Sequence, residues 1–236
     1  MVRSFFYFNG KSSLDQGLTI EYCPSFSTGQ KNVSKQAVPG RNGDLVMDEG
    51  TFANYTDGYD IWFKDRNIGT TQAARNIAQW LLGAQGYQRL EDTYDPEIYR
   101  MAMFTGPFNV ENWMLTHGRA TLEFDFMPQR FLKSGENPIN VQSGQSLYND
   151  WMPTKPLLLV TGNGTLSVGG TSITVSGTSG EFYIDCEAQD AWQGLSNLND
   201  NIEVENHEYP VIPAGKSEVM FTGITQLKII PRWWTL

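Results

Sequence analysis

The sequence contains few of the residues from which catalytic and metal sites are built. It has two histidines, His117 and His207, and two cysteines, Cys23 and Cys186. No C-x-x-C, H-E-x-x-H or G-x-S-x-G motif occurs. Both cysteines fall in strand-like segments and are expected to be small buried side chains, with a single long-range disulfide as the alternative. The sequence therefore predicts no catalytic residue, no metal and no cofactor.

Basic residues and long apolar runs are also scarce. The chain has 17 Lys and Arg against 26 Asp and Glu, a net charge of −9. An acidic surface repels phosphate, which argues against specific nucleic-acid binding. No apolar run reaches the ~18 residues of a membrane span, so no membrane insertion is expected. The aromatic run at residues 5–8 is too short for a signal-peptide core, so we expect a protein made and kept in the cytoplasm until assembly.

The patterns that are present are mostly those of β-strands. Apolar and polar side chains alternate over residues 120–126, as expected for a strand with one buried face. Residues 165–168 and 172–175 alternate in the same way, and Gly169-Gly170 between them predicts a tight hairpin. Gly162-Asn163-Gly164 is interpreted as a neighbouring turn.

One segment, residues 70–82, has a helical period instead. A single stripe of apolar side chains would face a sheet: Ala73, Ile77, Trp80 and Leu81. Thr70 or Thr71 is expected to cap the N-terminus, and Gly83 is expected to end the helix in the left-handed conformation. This pattern predicts one amphipathic helix that lies across a sheet.

A polar, turn-rich stretch over residues 129–155 separates two apolar regions. It indicates two domains, which we place at residues 1–135 and 136–236. The first would combine strands with the one helix. The second, with strands alone at short spacing, is expected to be a β-sandwich.

Three groups of residues are weak candidates for a site. Asp185 and Glu187, two apart on a predicted strand, would share a face about 7 Å apart, which is compatible with a glycosidase pair. A solvated strand face is the favoured interpretation. Trp192 would stack on a sugar ring if exposed, although core packing is favoured. Residues 197–208 have the length of a calcium loop, but Ile202 stands where such a loop needs glycine, so a solvated turn is favoured.

A small basic cluster, Lys31, Lys35 and Arg41, stands out in this acidic chain. It is too sparse to hold a duplex. A subunit contact and a solvated loop both remain open at this point.

Several segments along the chain carry a resemblance to a known protein family. In the first half they are residues 38–45 (VPGRNGDL), 80–83 (WLLG), 90–96 (LEDTYDP), 99–102 (YRMA) and 118–128. In the second half they are residues 156–164 (PLLLVTGNG), 182–187 (FYIDCE), 209–215 (YPVIPAG) and 230–234 (IPRWW). Taken in order, these segments resemble those of the phage distal tail proteins, and the resemblance extends over nearly the whole chain.

The resemblance implies a mainly β fold. The N-terminal domain would be a β-sandwich with one α-helix and a β-hairpin arm, which forms a ring as a belt domain. The C-terminal domain would be a galectin-like β-sandwich. The sequence lacks the Asn-Pro-Arg stretch of sugar-binding galectins, so we expect the fold without that binding.

The resemblance also implies a structural role in the virion. The family forms a hexameric ring, sometimes two stacked rings, at the tail tip of long-tailed phages of Gram-positive bacteria. The ring joins the tail tube protein to the tail-associated lysin or tail fibre and to receptor-binding components, and its channel passes DNA. Arg41 is the candidate for an inter-subunit contact. The alternatives are a carbohydrate-binding adhesin that uses Trp192 and, third, a glycosidase that uses Asp185 and Glu187.

Overall fold

The computed structural model describes residues 4–64, 69–114 and 117–236. The described chain divides into two compact units, one that ends at Arg130 and one formed by Phe131–Thr235. Each unit has its own cluster of buried apolar side chains. Over these described ranges the chain is mainly β with one α-helix, as the sequence predicts.

The first unit is a curved antiparallel sheet with a helix and a hairpin. Its strands are β1 (Phe6–Phe8), β2 (Lys11–Ser12), β3 (Leu18–Ile20), β4 (Lys31–Gln36), β5 (Leu45–Phe52), β6 (Tyr55–Lys64), β7 (Gln88–Asp92), β8 (Ile98–Met103), β9 (Glu111–Met114) and β10 (His117–Leu132), which continues into the second unit. The sheet order is β2-β1-β7-β8-β10-β6-β3, with β9 also paired to β10. The strands β4 and β5 pair with each other as a separate two-stranded sheet.

Aromatic side chains fill the core of the first unit. Phe6 and Phe8 are fully buried, and Phe124 on β10 contacts both rings edge-on. Their strand β1 lies inside the sheet between β2 and β7, so the aromatic run does not form a free edge. A free edge of that composition would favour aggregation, and pairing within the unit removes the hazard.

The predicted helix, α1 (Thr70–Leu82), packs its apolar stripe into this core. Trp80 is buried, and its Nε1–H donates to the Phe8 carbonyl oxygen at 3.2 Å. The expected caps are wrong. Gly69 is the N-cap residue, without a side-chain cap, and Gly83 is right-handed because its N–H still bonds the Gln79 carbonyl as in the helix.

The second unit is a β-sandwich. Its strands are β11 (Ile139–Val141), β12 (Gln145–Asn149), β13 (Leu157–Val168), β14 (Thr171–Val175), β15 (Glu181–Asp185), β16 (Asp190–Gln193), β17 (Ser196–Asn197), β18 (Ile202–Val204), β19 (Gly215–Ile230) and β20 (Trp234–Thr235). Short 3-10 helices lie at Leu14–Gln16 in the first unit and at Lys133–Glu136, Asn199–Asn201 and Glu205–His207 in the second. The main order is β11-β19-β13-β15-β16-β17, while β14 pairs β13 and β18.

The two long strands β13 and β19 pair with each other along most of their length in this sandwich. The first part of β13 pairs β15 and its last part pairs β14, with β-bulges between them at Gly162 to Thr165. The expected turn at residues 162–164 is therefore wrong, because the segment is a bend inside one strand. The hairpin at Gly169-Gly170 is confirmed, with Val168 opposite Thr171.

The two cysteines have different environments. Cys186 is fully buried, as predicted, and follows β15 directly. The prediction for Cys23 is wrong, since its side chain is exposed in the loop after β3. Both thiols are free, so the alternative of a disulfide is also wrong.

Among the described residues, no helix is both long and apolar enough to cross a membrane.

Candidate assembly arm and the predicted site residues

The hairpin of β4 and β5, which we call the arm, is exposed along its length. Its strands pair from Lys31 opposite Phe52 to Gln36 opposite Leu45, with a bulge between Lys31 and Val33. Side-chain bonds cross between the strands, from Ser34 to Glu49 at 3.1 Å and from Lys31 to Asp48. These cross-strand bonds hold the hairpin together although it lacks a buried face.

At the base of the arm, two segments of the backbone lie very close to each other. Ala53 donates its N–H to the Gln30 carbonyl oxygen at 2.8 Å. A Cβ added to Gly29 would lie 2.2 Å from the Ala53 carbonyl oxygen, so only glycine fits there. The two strands of the arm therefore leave the unit side by side.

Large apolar side chains of the arm are exposed. They are Val33, Leu45, Val46 and Met47 on its strands and Val38 in its loop. Three of them are consecutive, so apolar surface occurs on both faces of the hairpin. Arg41, the predicted contact residue, is exposed in the same loop, where its N–H donates to the Val38 carbonyl oxygen at 3.1 Å. An exposed apolar patch of this kind is typical of a protein interface.

The candidate acid pair does not form as predicted. The strand β15 ends at Asp185, and Glu187 lies in the following turn, so the two side chains do not share a strand face. Asp185 accepts N–H bonds from Glu187 and Ala188, and Arg232 donates to both of its carboxylate oxygens. Burial by itself raises the pKa of Asp185, but these bonds outweigh it and lower that pKa below its ordinary value. Such a carboxylate stays ionised and is a poor general acid.

Trp192 lies on β16, opposite Tyr183 on β15. The two rings are stacked, with centroids 5.5 Å apart and planes inclined by 10°. Both side chains are half-buried and neither belongs to the buried core of the unit, so the favoured interpretation of Trp192 as a core residue is wrong. The pair forms an aromatic ledge on the surface of the sandwich.

The side chains of the candidate calcium loop form hydrogen bonds with neighbouring residues of the same unit. Within residues 197–208, Asn197 donates to Asp190, Asn199 accepts the Ala191 N–H, and Asn201 donates to the Ser176 carbonyl oxygen. Within the described ranges, no group of three or more His, Cys, Asp or Glu side chains has the geometry of a metal site. His117 begins β10, and His207 is exposed in a 3-10 turn of the other unit.

A buried polar network in the first unit joins Asp92 and Arg100, which lie in two of the segments that carry the family resemblance, to Tyr59, which lies outside those segments. Arg100 donates to Asp92 at 2.8 Å and to the Tyr59 hydroxyl at 2.6 Å, and Tyr59 donates to Asp92 at 2.6 Å. Burial raises the pKa of Tyr59 well above its ordinary value, so the hydroxyl stays protonated. The network couples β6, β7 and β8 below the surface.

Comparison with solved structures identifies the fold of the chain. No protein-family profile and no curated protein sequence matches the chain. Solved structures do match over almost its whole length, and they are hub and baseplate proteins of phages. The chain therefore has the fold of a phage distal tail or baseplate protein, as the sequence segments predict.

One of these solved structures is the crystal structure of the SPP1 Dit protein, described as a paradigm of the hub adsorption apparatus in phages that infect Gram-positive bacteria. The TM-score is 0.75 at 10% identity, over 99% of each chain. The phage P2 baseplate in its activated conformation with Ca matches with a TM-score of 0.54 at 12% identity. The same baseplate with Sr matches at 0.55 and 11% identity, and in both cases 97% of this chain and 98% of the other are covered.

Proposed function

We propose that this chain is a structural subunit of a phage tail hub. Six copies close into a ring at the distal end of the tail, singly or as two stacked rings. The ring connects the tail tube protein to a tail-associated lysin or fibre and to receptor-binding components, and DNA passes through its channel. The observation that carries the proposal is the match to the SPP1 hub protein over 99% of both chains.

The arm supports ring closure as the assembly step. A two-stranded hairpin has marginal stability alone, and this one leaves Leu45, Val46 and Met47 exposed. Cyclic symmetry covers an identical patch on every subunit, which removes all of these exposed surfaces at once. The loop with Arg41 then lies at the contact between subunits.

The proposed role is non-enzymatic and located in the virion. Asp185 is held by Arg232 and two backbone N–H groups, so the glycosidase alternative loses its acid. The charge of −9 is suited to a channel wall that repels DNA instead of binding it. We expect synthesis in the cytoplasm of the bacterial host and assembly onto the tail tip.

Native mass spectrometry tests the ring. The expected mass is six or twelve times that of the 26.6 kDa chain. Met47→Ser on the arm and Met220→Ser on the second unit form a matched pair, since both side chains are half exposed, at 53% and 50%. Met47→Ser and Arg41→Ala are expected to shift the population to monomer, whereas Met220→Ser leaves it unchanged. A wild-type chain that stays monomeric, both at high concentration and with purified tail tubes, would contradict the proposal.

The second candidate function is a carbohydrate-binding adhesin, favoured by the ledge of Tyr183 and Trp192. Aromatic faces bind the apolar faces of sugar rings. A glycan array with wild type and Trp192→Ala tests it. Binding that disappears in Trp192→Ala and persists in Trp151→Ala, another partly exposed Trp of the same unit, would favour the adhesin. If no glycan on the array binds, the adhesin function is excluded and the structural role is retained.

A further inference from the structure

A cavity of about 210 Å³ lies in the first unit, beside the loop that leads into the arm. Residues 23–26 of that loop form one part of its lining, and the turn between β7 and β8 forms another. Two arginines, Arg100 and Arg130, also line the cavity, and each has only 6% of its surface exposed. Two guanidinium groups this deeply buried need partners, because a buried charge without a counter-charge is strongly unfavourable.

Arg100 has its partner within the unit. It donates to Asp92, whose side chain is equally buried, and to the Tyr59 hydroxyl. The other carboxylate oxygen of Asp92 accepts the N–H groups of Tyr94 and Asp95. Both carboxylate oxygens of Asp92 therefore already accept hydrogen bonds, one from Arg100 and the other from the backbone of the turn.

Arg130 has no such partner among the described residues. Its guanidinium makes one hydrogen bond, from Nη2 to the Ser27 carbonyl oxygen at 2.6 Å. Its Nε is buried and has no hydrogen-bond partner in the part of the chain that the structure describes. The group lies 4.4 Å from the ring centre of Phe26 and 5.8 Å from that of Tyr55. Aromatic faces stabilise a cation but do not accept its N–H groups.

The cover over Arg130 is easy to displace. Phe26 is 74% exposed, so moving its ring exposes little additional apolar surface to water. The remaining carboxylate of the cavity, Asp95, is exposed, and water screens its charge. An anion that enters therefore finds a guanidinium with unused donors in a partly desolvated site.

From this geometry we propose that the cavity binds a carboxylate group, held by the guanidinium of Arg130. A guanidinium presents its N–H groups in a planar fork that matches the two oxygens of a carboxylate. The volume is sufficient for a carboxylate on a short aliphatic stem, such as an acidic side chain or a small dicarboxylate, and too small for a nucleotide. The proposal is argued from the contacts of Arg130 alone and does not depend on the ring proposed above.

Glutarate is the probe, because it carries a carboxylate on a stem as long as that of a glutamate side chain. Its effect on the thermal unfolding midpoint is measured against sodium chloride at the same ionic strength. The variants are Arg130→Gln and Arg130→Lys, and the control is Arg89→Gln, an arginine on the same unit that pairs with Glu91 outside the cavity. Arg130→Lys keeps the charge, so a readout remains if Arg130→Gln does not fold.

The expected result is a rise in the midpoint for wild type and Arg89→Gln that chloride does not produce. Arg130→Gln loses the rise, and Arg130→Lys binds about tenfold more weakly because it lacks the fork. No rise in wild type, or equal rises in wild type and Arg130→Lys, would overturn the proposal.

Light scattering with and without glutarate then identifies the source of the carboxylate. If an acidic side chain of a second copy occupies the cavity, glutarate dissociates the assembly. If the occupant is a free small carboxylate, the mass does not change. Either outcome is independent of whether the assembly is a ring, so a failure of the hub proposal and a failure of this site are distinguishable.

Discussion

Arg232 binds Asp185 through two parallel N–H···O bonds, both 2.7 Å long. Arg232 reaches this position with φ at 56°, in the left-handed region that residues other than glycine rarely adopt. The pair fastens the C-terminal segment to the end of β15. An interaction that maintains an unfavourable backbone angle is expected to contribute to stability.

Asp185→Asn is expected to lower the free energy of unfolding at neutral pH by about 1.5–3 kcal/mol, as for other hydrogen bonds to charged groups. The pKa of Asp185 is lowered in the folded state, so its contribution is present above the ordinary pKa and disappears as pH falls through the folded value. Urea denaturation from neutral to acidic pH measures both. The stability difference between wild type and variant should shrink with acid, and a constant difference would contradict the assignment.

The exposed pair of Lys228 and Glu181 provides the control for this interaction. Their nitrogen and oxygen lie 2.7 Å apart, as short as in the Arg232 pair, but the Glu181 side chain is 38% exposed, whereas that of Asp185 is 12% exposed. Lys228→Ala is expected to cost no more than about 1 kcal/mol.

Gly164→Ala is expected to destabilise the second unit by about 3 kcal/mol or more. A Cβ at this position would lie 2.0 Å from the Thr222 carbonyl oxygen, where the bends of β13 and β19 meet. Gly170→Ala is the matched control, because its φ is also positive but no atom lies within 4 Å of the added Cβ. It should cost about 1 kcal/mol. Calorimetry of the two variants tests the difference, and equal losses would show that the close approach has no role.

Phe124→Ala is expected to cost about 3–5 kcal/mol in the first unit, since it leaves a cavity among fully buried rings. Phe124 lies 5.2 Å from Phe8 and 5.3 Å from Phe104, centre to centre. Tyr22→Ala removes a ring that is 63% exposed and should change stability by less than about 0.5 kcal/mol. Urea midpoints of the two variants make the comparison, and a small loss in Phe124→Ala would mean that the core repacks.

The two thiols are expected to react at very different rates. Burial raises the pKa of Cys186 to about 12, and the charge of Asp185 adds to the effect. Its thiolate is therefore almost absent at neutral pH. A disulfide reagent should modify one thiol per folded chain, at Cys23, and the second only in denaturant. Cys23→Ser should then show no reaction while folded, and rapid labelling of that variant would contradict the burial of Cys186.

The helical period and the strand-like alternation of apolar side chains predicted the elements that are stabilised by one buried face. The helix at Thr70–Leu82 and the hairpin at Gly169-Gly170 are of this kind. Predictions from local sequence patterns failed where tertiary contacts determine the backbone conformation. The glycines at residues 162–164 have turn chemistry, but pairing with β19 keeps them in one bent strand.

The arm and the cavity could not be derived from periodicity. The hairpin of β4 and β5 has no buried face, so its sequence has no apolar alternation and only the family resemblance indicated it. Arg130 is 103 residues from its partner Ser27. Contacts at such separations depend on the whole fold, and a single sequence does not reveal them.

The long mutual ladder of β13 and β19 has a mechanical consequence. Their pairing extends from Leu157 opposite Ile230 to Val168 opposite Val219, with bulges at Gly162 to Thr165. The hydrogen bonds of an antiparallel ladder lie across the strands, so a force that pulls the two strands past each other must break many of these bonds together. A force applied along β13 and β19 therefore meets more resistance than one that peels a short strand such as β17 from the edge of the sheet.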